Sequence, residues 1–426
     1  MPAVLVIGAG TMGAGIAQVA AMRGWDVVLQ DAAPGAAERG AAGIRAQLDR
    51  LVEKGKMTDE ARATALGRLR TAATLEDAAE GIVGLQNRQT GGRSEPCATA
   101  ETCSALAIEA VVERLEVKRE IFQRLEALLP GSTVLATNTS SLSVSAIAEG
   151  LRDPSRVIGM HFFNPAPLMP LVEVIAGRAS ASEAVSIGTE TARAWGKTAV
   201  RAKDTPGFIV NRVARGYYLE ALRLLGEEIS TVEKIDRVMK ELGGFRMGPF
   251  ELMDLVGLDV NLAVSTSVWE QMNRHARFTP HDIQRNLVAE GRLGRKTGLG
   301  FYAYDGPTPT PAVPGRKGDL AMSAEMQRAV HAFADAAGVE DCHDACRLIF
   351  VRVLCAVLNE AALALEEGVA SEADIDTAMK LGTNYPHGPL EWARRIGTSV
   401  VGRALRALNT AAGDDRYRPA KLFAAT

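Results

Sequence analysis

Aromatic residues are scarce, with Phe, Trp and Tyr together making 5% of the chain. Five cysteines (Cys97, Cys103, Cys342, Cys346 and Cys355) in 426 residues are too few for a disulfide framework and point to a reducing compartment. Neither sign of charge is in excess: 48 basic and 51 acidic side chains leave a net charge of −3. That balance gives no footprint for a nucleic-acid backbone or an anionic membrane surface. No uninterrupted apolar run approaches the ~20 residues of a membrane span. No basic residue precedes Arg23, so the apolar start lacks the charged region of a signal peptide. The expectation is a soluble, cytoplasmic protein with neither nucleic acid nor membrane as partner.

What is present is ordinary globular material, 47% hydrophobic and 23% charged, long enough for about three domains. Forty-one glycines exceed the roughly 30 expected at an average of ~7%, which suits tight strand-to-helix turns. Ala3 to Ile7 is a short apolar run, followed by Gly8-Ala9-Gly10-Thr11-Met12-Gly13-Ala14-Gly15. A helical pattern then carries Ile16, Val19, Ala20 and Met22 on one face, and a second run, Val27 to Leu29, ends at Asp31. This order is a βαβ unit. Further strand-like runs lie at Ala107–Val112, Val134–Ala136, Val157–Met160, Leu171–Ile175 and Thr198–Val200. Helical stretches at Glu116–Leu129, Leu142–Leu151 and Ser182–Trp195 separate most of them. Alternation of this kind predicts a mostly parallel sheet covered on both faces. A charge-rich amphipathic stretch, about 36–69, reads as an inserted helical hairpin.

Past Asp204-Thr205-Pro206-Gly207 the strand signals fade. A Pro-rich linker, 306–322, then separates two helical stretches, 204–305 and 323–426. These two are related. A shift of 140 residues carries Arg212-Val213 onto Arg352-Val353, Glu220-Ala221 onto Glu360-Ala361 and Ile235-Asp236 onto Ile375-Asp376. Met239-Lys240, Gly248-Pro249 and Glu251 fall on Met379-Lys380, Gly388-Pro389 and Glu391 at the same offset. One ungapped offset argues for a duplicated helical domain whose copies pack on each other. The expected fold is therefore α/β, a doubly wound Rossmann-type dinucleotide-binding domain (1–203) followed by two related all-α domains.

G-x-G-x-x-G is weak alone, but here it follows a strand, opens a helix and is succeeded by an acid at the next strand's end. Gly8 allows the turn, Gly10 lets backbone approach a pyrophosphate and Gly13 lets helix and sheet close up. The helix N-terminus supplies N–H groups and partial positive charge. Asp31 would accept from the adenosine ribose hydroxyls, and no Arg follows it directly, so NAD is favoured over NADP. A flavin lacks support from any second nucleotide signature of comparable quality.

Doubly wound sheets bind ligands beyond the carboxyl ends of their strands. After Val112 comes Glu113, after Ala136 come Asn138-Thr139-Ser140-Ser141, and after Met160 comes His161, with Glu173 on the next apolar run. A His beside Phe162 and Phe163 is commonly mere packing, but this placement favours chemistry. A neutral imidazole can take a substrate hydroxyl proton while hydride leaves the same carbon. Glu173 would hold the other ring nitrogen and stabilise the imidazolium.

Six segments resemble the 3-hydroxyacyl-CoA dehydrogenase family. They are Gly8–Gly15, Ile108–Glu113, Asn138–Leu142, His161–Pro165, Asp204–Arg212 and Gly294–Tyr302. They cover residues 1 to about 305, and the duplicated helical domain resembles the family's longer bacterial members. The resemblance implies NAD-dependent oxidation of an (S)-3-hydroxyacyl-CoA thioester to the 3-ketoacyl-CoA, with His161 as base and Glu173 as its partner. It implies that Ser140 and Asn211 contact the substrate oxygens. Gly8, Gly10, Thr11, Met12, Gly13, Asp31, Glu113, Lys118, Asn164 and Lys296 fall at NAD-contacting positions. Lys54, on the inserted hairpin, falls where the family sets a lysine against CoA and is preferred to Lys56, a solvated helix end.

Between Glu80 and Leu106 the sequence departs from that pattern, and 84–103 is expected to be a polar surface loop. In the second helical copy Val351 stands where Asn211 stands in the first, so the copy is expected to be structural. Cys342, His343 and Cys346 make no complete metal set. A homodimer is one open assembly, with the internal repeat mimicking or supplementing its contact. Two other functions stay open: a dehydrogenase of CoA-free hydroxy acids, and a non-catalytic structural relative.

Overall fold

Eight strands form one sheet: β1 (Ala3–Ile7), β2 (Asp26–Gln30), β3 (Leu69–Ala72), β4 (Ala105–Glu109), β5 (Val134–Thr137), β6 (Val157–Phe162), β7 (Leu171–Ala176) and β8 (Thr198–Lys203). Their spatial order is β3-β2-β1-β4-β5-β6-β7-β8. β6 and β7 pair antiparallel and every other neighbouring pair is parallel. The computed structural model that shows this describes residues 2–90, 105–315, 318, 321–339 and 342–424. The chain divides into two units, Met1–Thr205 and Pro206–Thr426.

In the first unit β1, β4 and β5 are buried along their whole length because helices cover both faces of the sheet. The helices are α1 (Thr11–Met22), α2 (Ala36–Glu53), α3 (Asp59–Gly67), α4 (Leu75–Thr90), α5 (Leu115–Leu128), α6 (Val144–Ile147) and α7 (Ser182–Ala194). α2 and α3 are the expected hairpin. The strand order reverses between β1 and β4, which places a ligand crevice at the carboxyl ends of those two strands.

Three expectations need correction. β3, Leu-Arg-Thr-Ala, is too short and polar to show in the sequence; it is an edge strand parallel to β2. The loop expected from Gly84 onward is helix as far as Thr90, since Leu75, Ala78, Ala79, Ile82 and Leu85 form one buried stripe at helical spacing. Residues 91–103 of that segment, with Cys97 and Cys103, lie outside the described residues. The helix expected over Leu142–Leu151 is only α6. The Asp204 carboxylate holds its start, accepting from Ser143 Oγ and from the amides of Val144 and Ser145.

The second unit contains both helical copies. The first comprises α8 (Val210–Val213), α9 (Arg215–Gly226), α10 (Val232–Glu241), α11 (Pro249–Val256), α12 (Leu258–Gln271) and α13 (Asp282–Ala289). A two-stranded ribbon, β9 (Tyr302–Ala303) with β10 (Thr310–Pro311), then forms where the linker was expected to be irregular. The second comprises α14 (Ala324–Ala336), α15 (Asp344–Glu366), α16 (Glu372–Gly382), α17 (Pro389–Ile396), α18 (Thr398–Ala412) and α19 (Lys421–Ala424). α11 and α17 match at the 140-residue offset at both ends. Asp236 and Asp376 repeat one device, each accepting two amides at the N-terminus of the following helix.

The copies pack on each other. Tyr217 and Phe245 of the first stack on Tyr385 of the second, at 5.8 and 5.0 Å between ring centroids. α15 is apolar and long enough to cross a bilayer, yet 83% of its apolar window is buried inside the protein.

Candidate active site

His161 is the penultimate residue of β6 rather than the first residue after it, and antiparallel register sets it directly opposite Glu173 on β7. Its Nδ1 lies 2.7 Å from Glu173 Oε2, and both side chains are buried. Phe163 packs on the imidazole, 4.5 Å between ring centroids. The carboxylate therefore fixes the ring's orientation and its tautomer. Register, rather than a flexible loop, holds the pair together.

Glu113 follows β4, and one of its oxygens, Oε1, gathers the segment after β5. It accepts from Thr139 Oγ1 (2.6 Å), Ser140 N (2.8 Å), Ser140 Oγ (3.3 Å) and both the amide and hydroxyl of Ser141. Burial alone would raise its pKa, but Lys118 and the bonds from Thr139 and Ser140 outweigh it and hold the carboxyl below its ordinary value. Lys118 is buried beneath this segment, its Nζ 2.6 Å from Glu109 and 3.2 Å from Glu113. Its ammonium thus positions Glu113.

Two residues assigned no separate role from sequence also build the site. Glu109 is fully buried and accepts from Val111 N, Lys118 and Thr137 Oγ1; a carboxylate ending an apolar strand was the available signal. Asn138 Oδ1 accepts from Phe162 N at 2.8 Å, tying the β5 loop to the strand that carries His161.

At the Gly-rich turn Gly8 has φ of +100°, and a Cβ on Gly13 would lie 1.8 Å from the Gly8 carbonyl. A Cβ on Gly10 would meet nothing within 4 Å, so backbone there faces open space. No side chain caps α1, leaving the N–H groups of its first turn, Thr11 to Gly13, for a ligand. Asp31 accepts from the amides of Ala9 and Ala33 at 2.7 and 2.9 Å. A carboxylate offers about four lone pairs, so it can brace the turn and still accept from ribose hydroxyls. These features fit a dinucleotide.

In this unit Asn164 is exposed and precedes a cis Pro165. Lys54 is the exposed residue that ends α2. A cavity of about 660 Å³ opens among α1, the end of α2 and residues 165–170. Arg23, Arg50 and Lys56 bring charge to it, and Met22 and Leu168 apolar surface. The structure thus puts Lys56 on this cavity, not Lys54. In the second unit Asn211 lies on α8, and Lys296 pairs with Asp259 at 2.6 Å.

The model of the 3-hydroxyacyl-CoA dehydrogenase NAD-binding domain matches residues 3–83 and 93–205. That of the family's C-terminal domain matches twice, over 207–304 and 349–425. The chain is a member of the 3-hydroxyacyl-CoA dehydrogenase family. It is 39% identical to the 3-hydroxyadipyl-CoA dehydrogenase of Escherichia coli K12, across 99% of this chain and 96% of that one. Rat mitochondrial hydroxyacyl-coenzyme A dehydrogenase is also 39% identical, over 71% of this chain and 90% of its own. The crystal structure of an E. coli 3-hydroxybutyryl-CoA dehydrogenase superposes with a TM-score of 0.82 at 37% identity, covering 99% and 97% of the two chains. This family member is an NAD-dependent oxidoreductase, and the second match of the C-terminal model agrees with the 140-residue repeat.

Proposed function

We propose that the protein oxidises (S)-3-hydroxyacyl-CoA thioesters to 3-ketoacyl-CoA, with His161 as general base and Glu173 as its partner. The carrying observation is the 2.7 Å contact between His161 Nδ1 and buried Glu173, set by strand register at the carboxyl end of a dinucleotide-binding sheet. With Nδ1–H donated to Glu173, Nε2 is the nitrogen that accepts the 3-hydroxyl proton. The C3–H bond breaks, the C3–O bond becomes a carbonyl and the imidazolium formed is stabilised by the carboxylate. Bound NAD supplies the hydride acceptor. The Ser140 hydroxyl, oriented by Glu113, would donate to the oxygen as its charge shifts.

A CoA thioester as substrate is supported by the relatives' names and by the cavity whose cations, Arg23, Arg50 and Lys56, suit phosphates. The relatives include both methyl-ended and carboxylate-ended acyl chains, so the acyl end stays open at this level.

NADH formation from (S)-3-hydroxybutyryl-CoA, its (R) enantiomer and free 3-hydroxybutyrate tests the reading. The (S) thioester alone is expected to turn over, and His161→Ala to lower kcat by about 10²–10⁴. Near-normal turnover by that variant overturns the assigned base. Equal rates on the free acid overturn the CoA thioester.

A further inference from the structure

Residues 165–170, Pro-Ala-Pro-Leu-Met-Pro, join the strand of His161 to the strand of Glu173 and form one wall of the cavity of about 660 Å³. Three of the six have no N–H, so the segment can build neither helix nor strand ladder. Its inward carbonyls need other donors. Lys197, at the turn between α7 and β8, supplies them. Its side chain is buried, and Nζ donates to the carbonyls of Ala166 at 2.6 Å and Met169 at 2.8 Å, with that of Pro167 at 3.5 Å. The next residue adds a backbone bond, Thr198 N to the Pro170 carbonyl at 2.7 Å. Helix α1 closes up on the same segment, where a Cβ on Gly15 would stand 3.2 Å from both Ala166 and Pro167.

No carboxylate pairs with Lys197 among the described residues, and none of them that lines the cavity is acidic. The charged groups there, Arg23 of α1, Arg50 of α2 and Lys56 just beyond it, are all cations. Residues 165–170 have no titratable side chain. Burial, with Arg23 as a like charge, therefore lowers the Lys197 pKa from its ordinary 10.5. The first unit holds a second cation gripped by carbonyls. Arg156 is buried and donates to those of Pro130, Thr133 and Glu126. It lies at the amino ends of β5 and β6, whereas Lys197 holds the segment beyond the carboxyl end of β6. Arg156 is thus an internal control for a cation that only satisfies carbonyls.

We propose that Lys197 is a positioning residue for the thioester, its ammonium keeping segment 165–170 folded in as the wall against which the CoA part of the substrate packs. This rests on the dehydrogenase reading and on this cavity as the place of the CoA phosphates. Two consequences separate it from a general role in stability. The His161–Glu173 pair is held by strand register, so loss of the ammonium leaves the base in place and acts on binding. Binding that is alike in ground and transition states moves KM and spares kcat. An ammonium, unlike a guanidinium, also loses its charge in the alkaline range, so the wall loosens as pH rises.

Steady-state NADH formation from (S)-3-hydroxybutyryl-CoA by the full chain tests this. Lys197→Met is expected to raise KM for the thioester about 10-fold or more, with kcat within a few-fold of wild type. Lys197→Arg is expected to keep KM near the wild-type value at about pH 7 and to hold it at about pH 10, where the wild-type KM rises. Arg156→Met is expected to lower the thermal unfolding midpoint and leave KM unchanged. An unchanged KM in Lys197→Met, a fall in kcat without a rise in KM, or an equal rise in KM in Arg156→Met overturns the proposal. So does a wild-type KM that rises with pH no more than that of Lys197→Arg. Should neither Lys197 variant fold, binding of butyryl-CoA to the wild type decides. Affinity is then expected to weaken from about pH 7 to about pH 10, and a constant affinity counts against the proposal. No turnover of the thioester by the wild type overturns the dehydrogenase reading itself, an outcome distinct from turnover with a KM that Lys197→Met does not move.

Discussion

Arg212 and Arg352 occupy the same place in the two helical copies, and each grips two carboxylates of the other copy. Glu220 and Glu360 are likewise related by 140 residues, as are Glu227 and Glu367. The duplicated domain therefore has a pseudo-twofold contact inside one chain, each ion pair being the image of the other.

Removing one member of such a pair strands a buried charge. Arg352→Met, leaving fully buried Glu220 with Arg223 as its one remaining cation among the described residues, is expected to destabilise the protein by up to about 3–5 kcal/mol. Arg394→Met, which breaks the exposed pair with Glu372, is expected to cost less than about 1 kcal/mol. Urea unfolding of the two variants checks the contrast. Equal small losses would show that the quartet does not tie the copies together.

Acid should loosen the same contact. Burial would raise the Glu220 pKa, but Arg352 and Arg223 outweigh it and hold it below its ordinary 4.5, and Arg212 does the same for Glu367. A lowered carboxyl contributes stability that is complete above the unfolded value and is lost as pH falls through the folded one. The contribution of this contact is therefore expected to hold above about pH 5 and to fall steadily below about 4.5. A Glu220→Gln variant, less stable at neutral pH, should show a shallower decline on acidification.

At the turn before α1, Gly13→Val is expected to abolish measurable NAD binding, since a Cβ there would stand 1.8 Å from the Gly8 carbonyl. Gly10→Ala meets nothing within 4 Å in the protein and should fold normally while still weakening NAD through contact with the pyrophosphate. Thermal unfolding with and without NAD separates the two effects.

Lys118→Met leaves Glu109 buried without its cation, and a loss of about 3–5 kcal/mol is expected. Adding Glu109→Leu should recover much of that stability but not NAD affinity, because Glu113 also loses the ammonium that orients it. Recovery of both would remove Lys118 from any role at the site.

Glu173→Gln keeps the shape of the His161 pair but removes its charge. A fall in kcat of about 10²–10⁴ with KM little changed is expected, since an amide cannot stabilise the imidazolium as the carboxylate does. Steady-state NADH formation measures it.

The Gly-rich turn, Asp31 and the 140-residue repeat were legible because each is written locally: a fixed spacing, a strand's end, a constant offset. Boundaries fared worse where a partner decides them. α4 runs past Gly84 because Leu85 still reaches the core, and α6 starts only at Val144, where Asp204, sixty residues away, accepts from its first amides. β3 has too few apolar residues to be seen at all.

Local spacing alone was enough to establish a doubly wound dinucleotide domain, the kinship of two helical stretches and the candidacy of His161, because turns, strand alternation and internal similarity depend only on near neighbours in the chain. Which charges are compensated is a different matter. That Glu109 lies under Lys118, that Lys56 rather than Lys54 lines a cavity, and that Arg212 and Arg352 each meet carboxylates of the other helical copy follow from burial and from partners far apart in sequence. Desolvation and Coulomb attraction act through space, so only the folded chain reveals them.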